Sequence, residues 1–290
     1  MKMNPCFDKQ SCSEISTCAS TSGQSGDDPE TGSNAMSIRN KGLLCIPHDI
    51  DLNPARMVIA ELVGTFILML CVCGIMASTV LTRGEVGLLE YAATAGLTII
   101  VLVYSIGPIS GAHVNPAVTI AFAVVGHFPL SKVPFYIMAQ TAGSVLGTYI
   151  GILVYGIKSN LMITRPAQDC ASAFWVELLA TSIIVFLAAS LACQAQCFGN
   201  LSGFVVGVAI GLAVLITGPV SGGSMNPARS LGPAIVSWNF SDIWIYIIGP
   251  TIGAVAGGFV YRFLRLRPRA CSPSTSPNTS LLSHSFMFVR

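Results

Sequence analysis

The sequence predicts an all-α membrane protein: six transmembrane helices plus two re-entrant half-helices, arranged as an inverted 3+3 repeat. Three observations carry that prediction. The chain is 52% hydrophobic and only 10% charged, with a mean hydropathy of +0.70, where a soluble domain carries about a quarter charged residues. Apolar segments long enough to cross a bilayer recur along it, and two shorter ones each open with Asn-Pro-Ala. The two halves of the chain also share residues in the same order.

Composition closes several other classes. A net charge of +2 is small, and the basic residues form no patch interleaved with aromatics, so nucleic acid is not an expected partner. The lipid bilayer is. The ten cysteines are scattered through tails and apolar runs, with no Cys-x-x-Cys pair and no Cys/His spacing that suits zinc. Reduced thiols, no metal and no cofactor are expected. No Ser/His/Asp or Cys/His constellation stands out, so an enzyme is not expected either.

Taken in order, residues 1–55 are poor in apolar side chains and contain the run Ser22 to Gly32 with Asp27, Asp28 and Glu30. Such a segment cannot bury enough surface to fold and reads as a disordered tail. The first apolar stretch of membrane length begins near Met57, so the first span is expected to serve as its own insertion signal. Spans are expected at 57–81, 88–107, 133–156, 173–193, 201–217 and 243–264. Asn115 to Val125 and Asn226 to Val236 hold about 11 residues each, roughly 16 Å of helix, or half a hydrocarbon core. Each reaches only the middle of a membrane. The expected organisation is a channel domain over 56–264, with repeats at 56–156 and 173–264, and a second tail over 265–290. Arg262, Arg265, Arg267 and Arg269 flank the last span, while Arg39, Lys41 and Arg56 precede the first. The positive-inside rule then places both termini in the cytosol, and the plasma membrane is the expected location.

The repeat is read from three matches. Glu61-Leu62-Val63-Gly64-Thr65 answers Glu177-Leu178-Leu179-Ala180-Thr181, and Ser110-Gly111-Ala112-His113-Val114-Asn115-Pro116-Ala117 answers Ser221-Gly222-Gly223-Ser224-Met225-Asn226-Pro227-Ala228. Tyr136, Gly143 and Gly147 answer Tyr246, Gly253 and Gly257, and all the matches lie 110 to 116 residues apart. Each half holds three spans, an odd number, so the second half enters the membrane inverted and the Asn-Pro-Ala segments dip in from opposite faces.

Irregular backbone is tolerated at membrane depth only where protein buries it or a watery cavity meets it, so the re-entrant segments imply a pore. Pro116 and Pro227 suit the first helical turn, and Asn115 and Asn226 suit the N-cap before it. Two facing N-termini place about half a positive charge each at the pore centre, and the Asn amides can donate into the lumen. Cations are disfavoured there and neutral hydroxylated solutes are welcomed. Arg229, three residues after Asn226, costs at least about 2.5 kcal/mol in a membrane if unpaired, so it is expected to face the watery path. Glu61 and Glu177 sit one turn into matching helices, placed to accept N–H groups of the re-entrant loops and support their shape.

Together these residues resemble the major intrinsic proteins: paired Asn-Pro-Ala boxes, the Ser110-Gly111-Ala112-His113 lead-in, Gly222-Gly223-Ser224-Met225, and Arg229-Ser230 closing the second box. The chain is most similar to the plant nodulin-26-like intrinsic proteins over about residues 50–264. The resemblance implies an aquaporin fold, a homotetramer with one pore per subunit, and passage of glycerol, urea and metalloid hydroxides such as boric acid. Pro108 departs from the pattern, since relatives often carry His there.

Aligned by distance from the boxes, the family's four-residue constriction falls on Ala95, Val214, Gly223 and Arg229. Water-selective relatives have bulky Phe and His at the first two. The resemblance thus implies a wide neck with one polar wall. Tyr91, a turn before Ala95, and His113 are the expected pore-lining or gating side chains. The reading is a passive channel for small uncharged solutes. Its rivals are a water-dominated channel, an ion-coupled carrier using Glu61 and Glu177, and a non-transporting structural protein.

Overall fold

The structure is a computed structural model that describes residues 52–193 and 201–265. Of the tails expected over 1–55 and 265–290, residues 1–51 and 266–290 lie outside the described residues, while 53–55 belong to the first helix. The described helices, in chain order, are α1 (Asn53–Leu81), α2 (Leu88–Ser110), α3 (Pro116–Val124), α4 (Val133–Tyr155), α5 (Cys170–Cys193), α6 (Ser202–Ser221), α7 (Pro227–Ser237) and α8 (Ile243–Leu264). Six are long and apolar enough to cross a membrane, and α3 and α7 are the two short ones.

Helix ends differ from the apolar runs because backbone chemistry, not hydropathy, terminates them. α1 begins at Asn53, a turn before Met57, with Pro54 in its first turn where a missing N–H is harmless. α5 begins at Cys170 because the Asp169 carboxylate accepts from the amide and hydroxyl of Ser172, at 2.9 and 2.6 Å. Those donors hold the Asp169 carboxyl below its ordinary value. α2 and α6 run on through Pro108 and Pro219 and stop only where Gly111 and Gly222 turn left-handed, at φ 90° and 82°. Pro108 therefore makes the two halves alike: the same Gly-Pro-x-Ser-Gly ending closes both helices.

The spans turn large apolar side chains outward and hold polar ones inside, among a core that is itself largely apolar. Leu97, Val101, Leu153, Ile183, Leu212 and Phe263 face outward, whereas Glu61, Gln140, Thr148 and Glu177 are fully buried. Lipid accepts the first group, and only the protein interior can satisfy the second. The most extensive helix pairings are α1 with α4 and α5 with α8, one in each repeat, followed by α2 with α6 across the repeats. A Cβ at Gly143 or Gly147 would overlap the carbonyl oxygens of Leu62 and Phe66, and one at Gly253 or Gly257 those of Leu178 and Ser182. These glycines let backbones touch, as small residues do at membrane helix crossings. Each half-helix lies on the last span of the other repeat, α3 on α8 and α7 on α4, which locks the halves together and brings the two Asn-Pro-Ala segments to the centre.

Candidate functional site

The half-helices form as their first residues dictate. Asn115 and Asn226 are extended, at φ −155° and −145°, and each caps its helix through Oδ1: Asn115 accepts from Ala117 N at 2.9 Å, Asn226 from Ala228 N at 3.0 Å. Pro116 and Pro227 follow at the first helical position, and Ala117 and Ala228 are fully buried behind them. The amide nitrogens cross to the opposite repeat. Asn115 Nδ2 donates to Met225 O at 2.9 Å, and Asn226 Nδ2 to Val114 O at 2.8 Å. One N–H of each amide is thus spent on the partner loop, and one is left to face the lumen.

The loops before the boxes are held in an unfavourable shape. Ala112, Val114 and Met225 have φ of 48°, 41° and 53°, left-handed conformations that cost side-chain-bearing residues about 1–3 kcal/mol each. The buried carboxylates compensate. Glu61 Oε1 accepts from Ser110 Oγ and His113 N, and Oε2 from Val114 N and Gln140 Nε2, all within 2.7–3.0 Å. Glu177 accepts from Ser221 Oγ, Ser224 N and Met225 N. Tyr136 and Tyr246 add matching bonds, each donating to the carbonyl of the helix-ending serine, Ser110 O at 2.9 Å and Ser221 O at 2.7 Å.

Between these elements runs a cavity of about 390 Å³. Asn115, Asn226, Ala95, Val214, Gly223, Arg229, Tyr91 and His113 all border it; Glu61 and Glu177 do not. α2 contributes every fourth residue from Tyr91 to Gly107, and α6 every fourth from Ser202 to Val214. His113 is only 7% exposed. Its Nδ1 lies 3.1 Å from Thr119 Oγ1, and its ring sits edge-on to Phe122, Phe128 and Tyr136. It borders the cavity with its ring held by these contacts.

Arg229 is 6% exposed and borders the cavity together with Ala95, Val214 and Gly223. Nη1 donates to Met162 O at 3.2 Å and Nη2 to Tyr91 OH at 2.9 Å, both neutral acceptors. Nε is buried with no partner among the described residues. Spacing placed Tyr91 over Ala95, but its hydroxyl goes to Arg229, which no local pattern announces. Met162, at the end of a turn over Ser159–Met162, carried no sequence signal at all. Gln140 did: an amide in an otherwise apolar span needs partners, and it has Glu61 and Thr119, at 2.8 and 3.0 Å.

This geometry has relatives. The major intrinsic protein family matches residues 50–261. A probable aquaporin NIP7-1 of Arabidopsis thaliana is 57% identical over 263 residues, covering 88% of this chain and 96% of its own. A probable aquaporin NIP4-2 of the same plant is 40% identical, covering 79% and 81%. The X-ray structure of the aquaglyceroporin from Plasmodium falciparum aligns with a TM-score of 0.67 at 27% identity, covering 73% of this chain and 96% of that one. Six membrane-length helices, two opposed half-helices and these relatives agree: the chain is a multi-pass membrane protein of the major intrinsic protein family, in its nodulin-26-like branch, and a channel rather than an enzyme.

Proposed function

We propose that this channel passes small uncharged solutes passively, boric acid and other metalloid hydroxides, glycerol and urea among them, with water slower or comparable. The observation that carries the reading is the set of side chains that border the cavity with Arg229, which we take as its neck. Three of its four walls, Ala95, Val214 and Gly223, are small, and the guanidinium is the one polar wall, drawn aside by Met162 O and Tyr91 OH. A solute wider than water has room there and still finds donors as it sheds its own water. The fixed charge of Arg229 and the two half-helix N-termini exclude cations and protons, as in other narrow pores. Tyr91, bonded to that same guanidinium, is the candidate gate.

Glu61 and Glu177 serve as loop supports. A coupled carrier needs carboxylates that meet the transported ion, and these two are fully buried, occupied by loop donors and away from the cavity. The working form is a homotetramer in the plasma membrane with both termini cytosolic, which puts the Arg229 neck at the outer end. Purified protein in liposomes tests the reading: iso-osmotic gradients of boric acid, glycerol and urea should swell the vesicles faster than protein-free controls, with no dependence on pH gradient or voltage. Osmotic shrinkage without solute uptake would instead make it a water-dominated channel.

A further inference from the structure

The repeat assigns every residue of the Arg229 neck a counterpart at the other end of the cavity. Equivalent positions from α2 to the boxes lie 111 residues apart, as Ser110 and Ser221 or Asn115 and Asn226 do. Ala95 is thereby paired with Val206, Val214 with Val103, Gly223 with Ala112, and Arg229 with Val118. All of these border the same cavity, and so do Tyr91 and its counterpart Ser202. Val103 and Val206 both pack on the cluster that contains Ala112, while Val118 packs on the cluster of Ala117 and Ala121 at the start of α3.

The counterparts differ in size and in stiffness. Val206 is bulkier than Ala95, and Ala112 adds a methyl where Gly223 has none. Val118 stands where the first neck has Arg229, so none of Val103, Ala112, Val118 and Val206 has a side chain that can form a hydrogen bond. Val103, Val118 and Val206 are β-branched and helix-borne, which leaves each about one χ1 rotamer. Tyr91 and Arg229, by contrast, are long side chains that can move aside.

We infer that Val103, Ala112, Val118 and Val206 form a second, wholly apolar ring, and that this rigid ring sets the upper size limit for polyols. The inference rests on the cavity being the solute path. It divides the labour: the Arg229 neck sorts solutes by charge and hydrogen bonding and can be gated, while the valine ring sorts by width alone.

The experiment compares glycerol, erythritol and xylitol uptake in liposomes at equal inserted protein. Val206→Ala and Val103→Ala, two independent and conservative variants, should each raise erythritol and xylitol permeability several-fold relative to glycerol. Leu212→Ala, on the outward face of α6 (60% exposed), should leave that ratio alone. Val206→Thr keeps the volume and adds a hydroxyl, and should move the ratio less than Val206→Ala does. An unchanged ratio in both alanine variants would overturn the ring, and a threonine effect as large as that of alanine would overturn its steric basis. Unaltered protein that passes no glycerol would defeat the channel's solute reading itself, and the ring with it.

Discussion

Glu61 in the first half takes four donors and Glu177 in the second takes three, because Gln140 of α4 is answered at the matching position of α8 by Pro250. The same contrast recurs along the cavity. Asn115 and Asn226 are interchangeable in role, each capping its own helix and bonding the other loop. Three residues on, Val118 stands opposite Arg229, and Tyr91 opposite Ser202. What the halves share is the frame: carboxylate, tyrosine, cap and glycine crossings. What they do not share lines the path or tunes the frame, and it is there that selectivity has to be sought.

The comparison can be broken first at the shared frame. Glu61→Gln and Glu177→Gln each place an amide NH₂ against a backbone N–H in a fully buried site, at a cost of about 3 kcal/mol. Both should lose monodisperse protein and lower Tm in detergent; a wild-type Tm in either would remove the carboxylate's supporting role. Next comes Arg229→Val, which gives the first neck the residue that Val118 supplies to the second. A fixed charge about 4 Å from a passing cation is worth about 4 kcal/mol at an effective dielectric of about 20, so proton leak in liposomes should rise by about tenfold or more. Solute flux with an unchanged leak would move the charge filter elsewhere.

Smaller effects sharpen the picture. Gln140→Leu gives the first carboxylate the three-donor state of the second, and should cost about 1–2 kcal/mol of stability without changing solute order. A loss as large as that from Glu61→Gln would mean that the two carboxylate sites are not equivalent. Tyr91→Ala should speed boric acid uptake, and Tyr91→Phe should do so less, since it removes only the bond to Arg229. An unchanged or slower rate at equal protein would assign Tyr91 to the interfacial aromatic belt.

The sequence carried the frame well because each part has a local cause. Asn-Pro sets a cap and a first turn, apolar length sets a span, and matched offsets set the inversion. Helix ends were misjudged by up to four residues because apolar runs stop at Gly-Pro, while the backbone continues to the left-handed Gly111 and Gly222. The Arg229 environment was legible only in part. Position marked the arginine, but its partners come from residues 67 and 138 positions away, and such distant pairings leave no trace in spacing. Pro108, read as a departure from the family pattern, also makes the two loop entries of this chain match, since Pro219 stands at the same place in α6.

The central claim is that the small walls facing Arg229 leave that neck open to boric acid and glycerol as well as to water. Ala95→Phe combined with Val214→His rebuilds a narrow polar ring at that neck while leaving the boxes, the carboxylates and the valine ring untouched. Boric acid, glycerol and water permeability should be measured for both proteins in one liposome preparation, with membrane insertion checked separately. The account predicts that the double variant stops boric acid and glycerol and still passes water. Wild-type boric acid and glycerol permeability in that variant would contradict it, because the selective neck would then lie elsewhere along the cavity.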